Sequence, residues 1–408
     1  MKRNILFLVA LVYLTVASNL VFAQKTAQSE QQVRQKTFEK VWQTINEKYF
    51  DPTFGGVDWR AARTAYAPQI AQVKSDAEFY ELLNTMLGEL KISHMEVWSP
   101  ETIAKLKTVA TTTGLGLREM DNRLVVVTRV LENSSAAKAG IKTGFVIAEI
   151  DGEAIKTLDD AKRKLSGAPN TTMRLIYLDE NDKRNEAVLE RYGLNNSDKG
   201  EIGGGISFYA LFESRNLANN IGYIRFSNFV AFLNSKIEAA IVSMKDAPGI
   251  IIDLRGNGGG DDDVAIKMAG MLFDKETQLM ITKTRKGDKF YYKAKPAKNL
   301  YLGKVIILVD ELSGSASEQF AAGMQEAGRA FIIGKTTAGE DMDADLIKLP
   351  TGAFLIYAAG EPHTPKGVII EGRGVIPNME VNLTRRQLLT GKDAQLDAAI
   401  DYIKTVRP

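Results

Sequence analysis

Between residues 32 and 92, apolar positions recur every three or four residues. Phe38, Val41, Ile45 and Tyr49 form one series; Phe79, Leu82, Leu83, Met86 and Leu90 form another. This is the period of helices with one buried face. Asp51-Pro52 ends the first helix, a second is expected over residues 58–71, and Ser75 with Glu78 opens a third as a capping box. Residues 32–108 therefore predict a small helical bundle. The pattern then changes. Strands are expected at Arg123–Val130, Phe145–Ile150, Met173–Leu178 and Asn185–Leu189, with a short helix within Ser134–Gly140, a turn at Asp151-Gly152 and a helix over Leu158–Leu165. Residues 109–192 thus form a separate, strand-rich domain.

Residues 193–215 are rich in glycine and polar side chains and predict a boundary. Their cluster Gly203-Gly204-Gly205 lacks the Lys-Ser/Thr ending of a phosphate loop, so no nucleotide is expected there. Beyond it, over residues 205–404, strands and helices alternate: strands at Ile221–Phe226, Ile250–Leu254, Val305–Val309 and Phe331–Ile333, and helices at Ser235–Lys245, Val264–Leu272 and Ala316–Ala327. Such alternation implies the α/β class, a largely parallel sheet covered by helices. The run Val305–Val309 is continuously apolar, as in a strand buried on both faces. Sites in such sheets gather beyond the carboxyl ends of the strands.

Composition narrows the function. The chain has 408 residues, 45% hydrophobic and 25% charged, enough for two or three domains. Lys2 and Arg3, the apolar run from Ile5 to Val16 and the small residues around Val21-Phe22-Ala23 predict a signal peptide over residues 1–23, cleaved after Ala23. The apolar run is shorter than the roughly 20 residues a bilayer needs, so no membrane anchor should remain after cleavage. A periplasmic or secreted location follows, and with no cysteine the protein is held by its core alone. Residues 1–23 carry no Asp or Glu, so cleavage takes the formal charge from +2 to 0, which speaks against a nucleic-acid partner. With His94 and His363 the only histidines, no histidine-based metal site and no cofactor is expected.

The candidate chemistry lies at residues 304–340. After the strand, Ser313, Gly314, Ser315, Ala316 and Ser317 make a tight turn into a helix, and a serine there meets free N–H groups and the positive end of the helix dipole. Ser315 is the candidate nucleophile, although Ser315 with Glu318 also satisfies a capping box that needs no chemistry. A second glycine turn, Gly256 to Gly260, follows the strand ending at Asp253. Its backbone could meet a reacting carbonyl at close range, with the N–H of Ala316 as the other donor.

The segments DLRGNGGG, SGSASE, GKTTAG and EGRGVIPNMEV, with LKISH at the end of the bundle, resemble those of the C-terminal processing protease and tricorn-core family of serine peptidases. GLGL and SSAAKAGIKTGFVIAEIDGEAI resemble a PDZ domain of the circularly permuted bacterial kind. The resemblance covers residues 32–400. It implies a multidomain α/β fold, with a ClpP-like and crotonase-like sheet core, an N-terminal helical bundle and an inserted PDZ domain. One branch of the family uses a lysine twenty-five residues after the nucleophile; that position here is Glu340. The tricorn-like branch uses a Ser-His pair after the bundle and a glutamate before a GV-x-P segment, matched by Ser93-His94 and Glu371. The implied roles are Ser315 as nucleophile, His94 as general base, Glu371 and Ser93 as its orienting groups, and Gly260 and Ala316 as oxyanion donors. The PDZ domain would bind a peptide's C-terminus at the N–H groups of Leu115, Gly116 and Leu117.

An imidazole suits the role, because its ordinary pKa lies near neutrality. A lysine would have to be desolvated, and Glu340 would oppose that. The expected activity is an exported endopeptidase acting on polypeptides through an acyl-enzyme. Two alternatives stay open: an inactive peptide-binding or chaperone-like protein on the same fold, and a Ser-Lys dyad using Lys335, which is otherwise expected to be a solvated charge. His363, between prolines, is expected to be exposed in a turn. The acidic runs Asp261-Asp262-Asp263 and Asp341, Asp343, Asp345 are expected to be solvated loop charge. A calcium loop is excluded for the second run, since its sixth position is Leu346 and its twelfth Gly352.

Overall fold

The computed structural model describes residues 28–107, 111–120, 123–194, 199–202 and 206–405. The expected signal peptide and Gly203-Gly204-Gly205 lie outside them. The chain divides into two compact units. One comprises residues up to Ile103 with Thr284–Gly287 and Ala344–Gly360, and the other comprises the remainder. Among the described residues no helix is long and apolar enough to cross a membrane.

In the first unit, helices at residues 28–48, Trp59–Ile70 and Asp76–Gly88 pack through the periodic positions. Phe38, Val41, Ile45, Trp59, Ile70, Phe79, Leu83 and Met86 are each at most 1% exposed. Asp58 caps the second helix by accepting from the N–H groups of Arg60 and Ala61, and Ser75 caps the third by accepting from that of Glu78. Beyond the third helix the chain turns at Lys91 and His94, both at positive φ. It then enters the strand Glu96–Trp98, which pairs antiparallel with Phe354–Ile356.

The second unit contains two sheets that position its chemistry. A seven-stranded sheet runs in the order Thr111–Thr112, Arg184–Gly193, Thr171–Leu178, Val146–Ile150, Leu124–Val130, Leu115–Met120, with Glu153–Ala154 paired to Val146–Ile150. The helix Leu158–Leu165 and the short helix Ser135–Lys138 accompany it. Leu115–Met120 is an edge strand.

The other sheet has six strands, in the order Phe212–Asn216, Gly222–Phe226, Gly249–Asp253, Lys304–Val309, Ala330–Gly334, Met379–Glu380. Only the first pairing is antiparallel. Side chains alternate between its faces. Ile250, Ile252, Val305 and Ile307 join one core with helices Asn234–Ser243, Asp262–Gly270 and Ala316–Glu326. Ile251, Ile306 and Leu308 join another with Ala399 and Ile403 of helix Ala394–Thr405. Both faces are covered, which explains the unbroken apolar runs.

Two elements depart from the sequence reading. A hairpin of Thr277–Thr284 and Lys289–Ala294 is present, and residues 354–363 form a ten-residue strand. His363 ends that strand 6% exposed, with its Nε2 2.7 Å from Glu361 Oε2. Residues two apart on a strand share a face, so a carboxylate partner accompanies the ring into the interior.

Candidate active site

Two loops meet at the carboxyl end of the six-stranded sheet. Asp310, ending one strand, accepts from the N–H groups of Gly256 (2.8 Å) and Leu312 (3.0 Å). Ser313 Oγ accepts from the Asp310 N–H at 3.0 Å and donates to the Leu254 carbonyl at 2.8 Å. Asn257, wholly buried, accepts through its carbonyl from Gly314 N (3.1 Å) and Ser317 Oγ (3.0 Å). Its side chain donates to the Phe226 carbonyl and accepts from Gly259 N. Ser313 and Asn257 thus fix the glycine loop against the serine turn, a role the sequence alone did not assign them. Below the loop, burial alone would raise the pKa of Asp253, but Arg225 and Arg255 hold its carboxyl far below the usual range. Arg255 also reaches Asp393 at 2.8 Å.

Ser315 sits at the junction with φ 53° and ψ −127°, a region L-residues rarely occupy. Its N–H donates to the Glu340 carbonyl at 2.8 Å and to Glu318 Oε2 at 3.2 Å. The capping-box pattern is therefore formed. The Glu318 N–H also donates to the Ser315 carbonyl at 2.7 Å. Ala316 is the first residue of the helix, where an N–H has no intrahelical acceptor. A Cβ on Gly259, at φ 93°, would lie 2.6 Å from Ser315 Cβ and 2.8 Å from Ala316 N, so only glycine leaves that space open. Gly260 bridges Phe229 in parallel fashion. Phe229 N donates to the Gly259 carbonyl and Asp261 N to the Phe229 carbonyl, so the N–H of Gly260 points away from Phe229.

Glu318 is completely buried. It accepts from the Thr337 hydroxyl and from the N–H groups of Gly339 (2.7 Å), Glu340 (2.9 Å) and Ser315. Burial pushes its carboxyl pKa up, opposed by these donors. Thr337 Oγ1 in turn accepts from Val375 N at 2.6 Å, and Gly372 N donates to the Gly339 carbonyl at 2.8 Å. Glu371 Oε2 accepts from Asp341 N at 2.7 Å. A continuous set of hydrogen bonds therefore joins the Ser315 turn to the segment bearing Glu371.

Glu340 stands where the other branch has its lysine, and it supports Ser315 through its backbone. Lys335 is held by Glu380 Oε1 (2.6 Å) and Asn382 Oδ1 (2.7 Å). The acidic runs are not all solvated. Asp341 is fully buried, with both carboxyl oxygens lacking a hydrogen-bond partner. Burial, then Glu318, Asp343, Asp262 and Glu371, push its pKa well above the ordinary value.

In the first unit, Ser93 Oγ lies 2.8 Å from His94 Nδ1. The chain is fixed just beyond by Asn84, whose Oδ1 accepts from Val97 N at 2.6 Å. In the second unit, Leu115, Gly116 and Leu117 lie on the edge strand opposite Val130, Arg129 and Val127. The next residue, Arg118, ties that strand to the serine turn, donating through Nε to Glu311 at 2.7 Å and lying 3.3 Å from Asp310.

Comparison with known proteins gives the class of this chain. Residues 220–381 match peptidase family S41, residues 30–88 the tricorn protease C1 domain and residues 126–178 a PDZ domain. The carboxyl-terminal-processing protease of Synechocystis sp. is 26% identical over 97% of this chain and 90% of its own length. The carboxy-terminal-processing protease of Bartonella bacilliformis is 27% identical, over 97% and 86%. The fold is shared with the photosystem II D1 C-terminal processing protease, at TM-score 0.60 and 23% identity, covering 89% of this chain and 98% of that one. It is also shared with the tricorn protease, at TM-score 0.56 and 19% identity, over 92% of this chain and 37% of that one. Residues 220–381 thus carry the peptidase family S41 match, and along nearly its whole length the chain is similar to carboxyl-terminal-processing proteases, as a serine-type peptidase.

Proposed function

We propose that this protein is an exported endopeptidase that cuts polypeptides near their C-termini through an acyl-enzyme on Ser315. The observation that carries the reading is the backbone of Ser315, held at φ 53° at the N-cap of its helix. Strain of this kind costs about 1–3 kcal/mol and persists where the surroundings over-determine it.

In the proposed cycle, His94 removes the Ser315 proton as the hydroxyl attacks the scissile carbonyl. The N–H groups of Gly260 and Ala316 take the developing oxyanion. His94, now an imidazolium, returns the proton to the leaving amine, and a water activated by the same ring then releases the acyl group. The Ser93 hydroxyl at Nδ1 leaves Nε2 for the proton transfers, and Glu371 favours the imidazolium. The edge strand at Leu115–Leu117 takes the substrate's C-terminal segment as an added strand. Export is supported by the leader-like residues 1–23, and C-terminal cutting by the names of the relatives.

The test is labelling with a fluorophosphonate probe, the modified residue being located by mass spectrometry. The wild type should be labelled at Ser315 and Ser315→Ala not at all. Equal labelling of the two proteins would end the reading.

A further inference from the structure

Within the second unit, the seven-stranded and six-stranded sheets share a cavity of about 900 Å³. Its walls include Gly116 and Arg129 of the first sheet, Glu213 and Arg225 of the second, and Gly256 and Gly258 of the glycine loop that packs on the serine turn. The cavity therefore extends from the edge strand Leu115–Met120 to the loops of the candidate active site.

Gly116 stands opposite Arg129 across the ladder, and the side chains of paired residues leave a sheet on the same face. A Cβ on Gly116 would lie 2.9 Å from Arg129 Cβ, so glycine is what leaves Arg129 its place across the edge strand. Among the described residues, the Arg129 guanidinium reaches one acceptor, Glu213, through Nη2. That carboxylate is shared, since Arg215 Nε lies 3.3 Å from its other oxygen. A guanidinium carries five N–H donors, so Arg129 has donors left for a further acceptor. Burial, then the neighbouring Arg225, push its pKa below the ordinary value, and an anion beside it would offset both effects. Arg118, two residues from Gly116 on the same face, is already matched by Glu311 and Asp310.

Resting on the strand-addition reading above, we infer that Arg129 is a specificity residue of that peptide site, binding the carboxylate of a glutamate or aspartate side chain in the substrate's C-terminal segment. A peptide strand on the free edge places one residue beside Gly116, its side chain on the face that Arg129 occupies. Neighbouring strands lie about 4.8 Å apart, so this residue is two such spacings from Arg129, with no side chain between them. An arginine and a glutamate are long enough to meet across that gap, and a guanidinium matches a carboxylate bidentately. Glu213 holds the guanidinium until the peptide arrives, and Arg215 keeps Glu213 paired afterwards. Because peptide residues alternate between faces, an acidic side chain counts at every second position only. The peptide's terminal carboxylate is a separate group, assigned above to the N–H groups of Leu115, Gly116 and Leu117.

The test is fluorescence polarisation with short labelled peptides that have a free C-terminus and are uncharged except for one Glu, moved through the last four positions; Gln replaces it in the reference peptide. The full chain carries Ser315→Ala to prevent turnover. Glu at alternate positions should bind about tenfold more tightly than Gln. Adding Arg129→Gln should bring that ratio to about one while the Gln peptide keeps its affinity. Glu213→Gln, which leaves Arg129 intact and removes its competitor, should widen the ratio severalfold. Equal binding of Glu and Gln at all four positions overturns the acidic subsite and leaves the strand-addition reading standing. So does an Arg129→Gln loss of equal size for every peptide, which would mean that Arg129 meets the terminal carboxylate. Failure of every peptide to bind removes both.

Discussion

The buried carboxylate of Glu318 accepts a hydrogen bond from the backbone N–H of Ser315, three residues earlier. It also gathers Thr337, Gly339 and Glu340 around the same turn. Glu318→Ala would strand these buried donors, so a destabilisation of about 3 kcal/mol is expected in urea unfolding. On the proposed mechanism, catalysis should fall about a hundredfold, in kcat more than in KM, because Ser315 is misplaced while the peptide contacts remain. A variant of normal kcat would show that the brace is irrelevant to Ser315.

Strain at Ser315 makes activity and stability oppose each other. Glycine adopts positive φ without penalty, and it is tolerated at helix N-caps. Ser315→Gly and Ser315→Ala should therefore both be inactive, with the glycine variant more stable by about 1 kcal/mol. Equal melting of the two variants would mean that the turn stores no strain.

Gly259→Ala places a methyl 2.6 Å from Ser315 Cβ and 2.6 Å from the Gly314 carbonyl oxygen, at φ 93°. The expected outcome is a loss of about 10²-fold or more in kcat/KM. Gly256→Ala is a useful contrast: its φ is 72°, yet a methyl there meets nothing within 4 Å. It should cost stability more than rate. Similar rates for the two variants would contradict the reading that the open space at Gly259 keeps Ser315 in working position.

Asp341 gives a pH signature. Its folded pKa lies above the ordinary 3.8, so the folded chain holds this proton more tightly than the unfolded chain. Its contribution is fully present below about pH 4 and is lost as pH rises through the folded value. Asp341→Asn should therefore gain stability over the wild type progressively from about pH 4 toward pH 8. Unfolding curves that keep a constant separation across that range would refute this.

The sheet was legible in the sequence because its strands are covered on both faces, leaving runs such as Val305–Val309 with no other reading. The hairpin Thr277–Ala294 was not. Its second strand carries exposed Phe290 and Tyr291 among lysines, without a buried face to set a clear alternation. The strand-to-helix turn at Ser315 was legible, but its strained backbone was not, since an ordinary capping box is spelled the same way. Asp341 and His363 were misjudged as solvated for a common reason. Burial of a polar side chain depends on what the fold brings against it: for His363 a carboxylate two residues away, for Asp341 segments from three parts of the chain.

The most direct measurement of the central claim is kcat/KM on one unfolded protein substrate for the wild type, His94→Ala and Lys335→Ala. The account predicts a fall of about 10⁴-fold for His94→Ala and nearly full activity for Lys335→Ala. Activity that survives the loss of His94 and vanishes with Lys335 would contradict it.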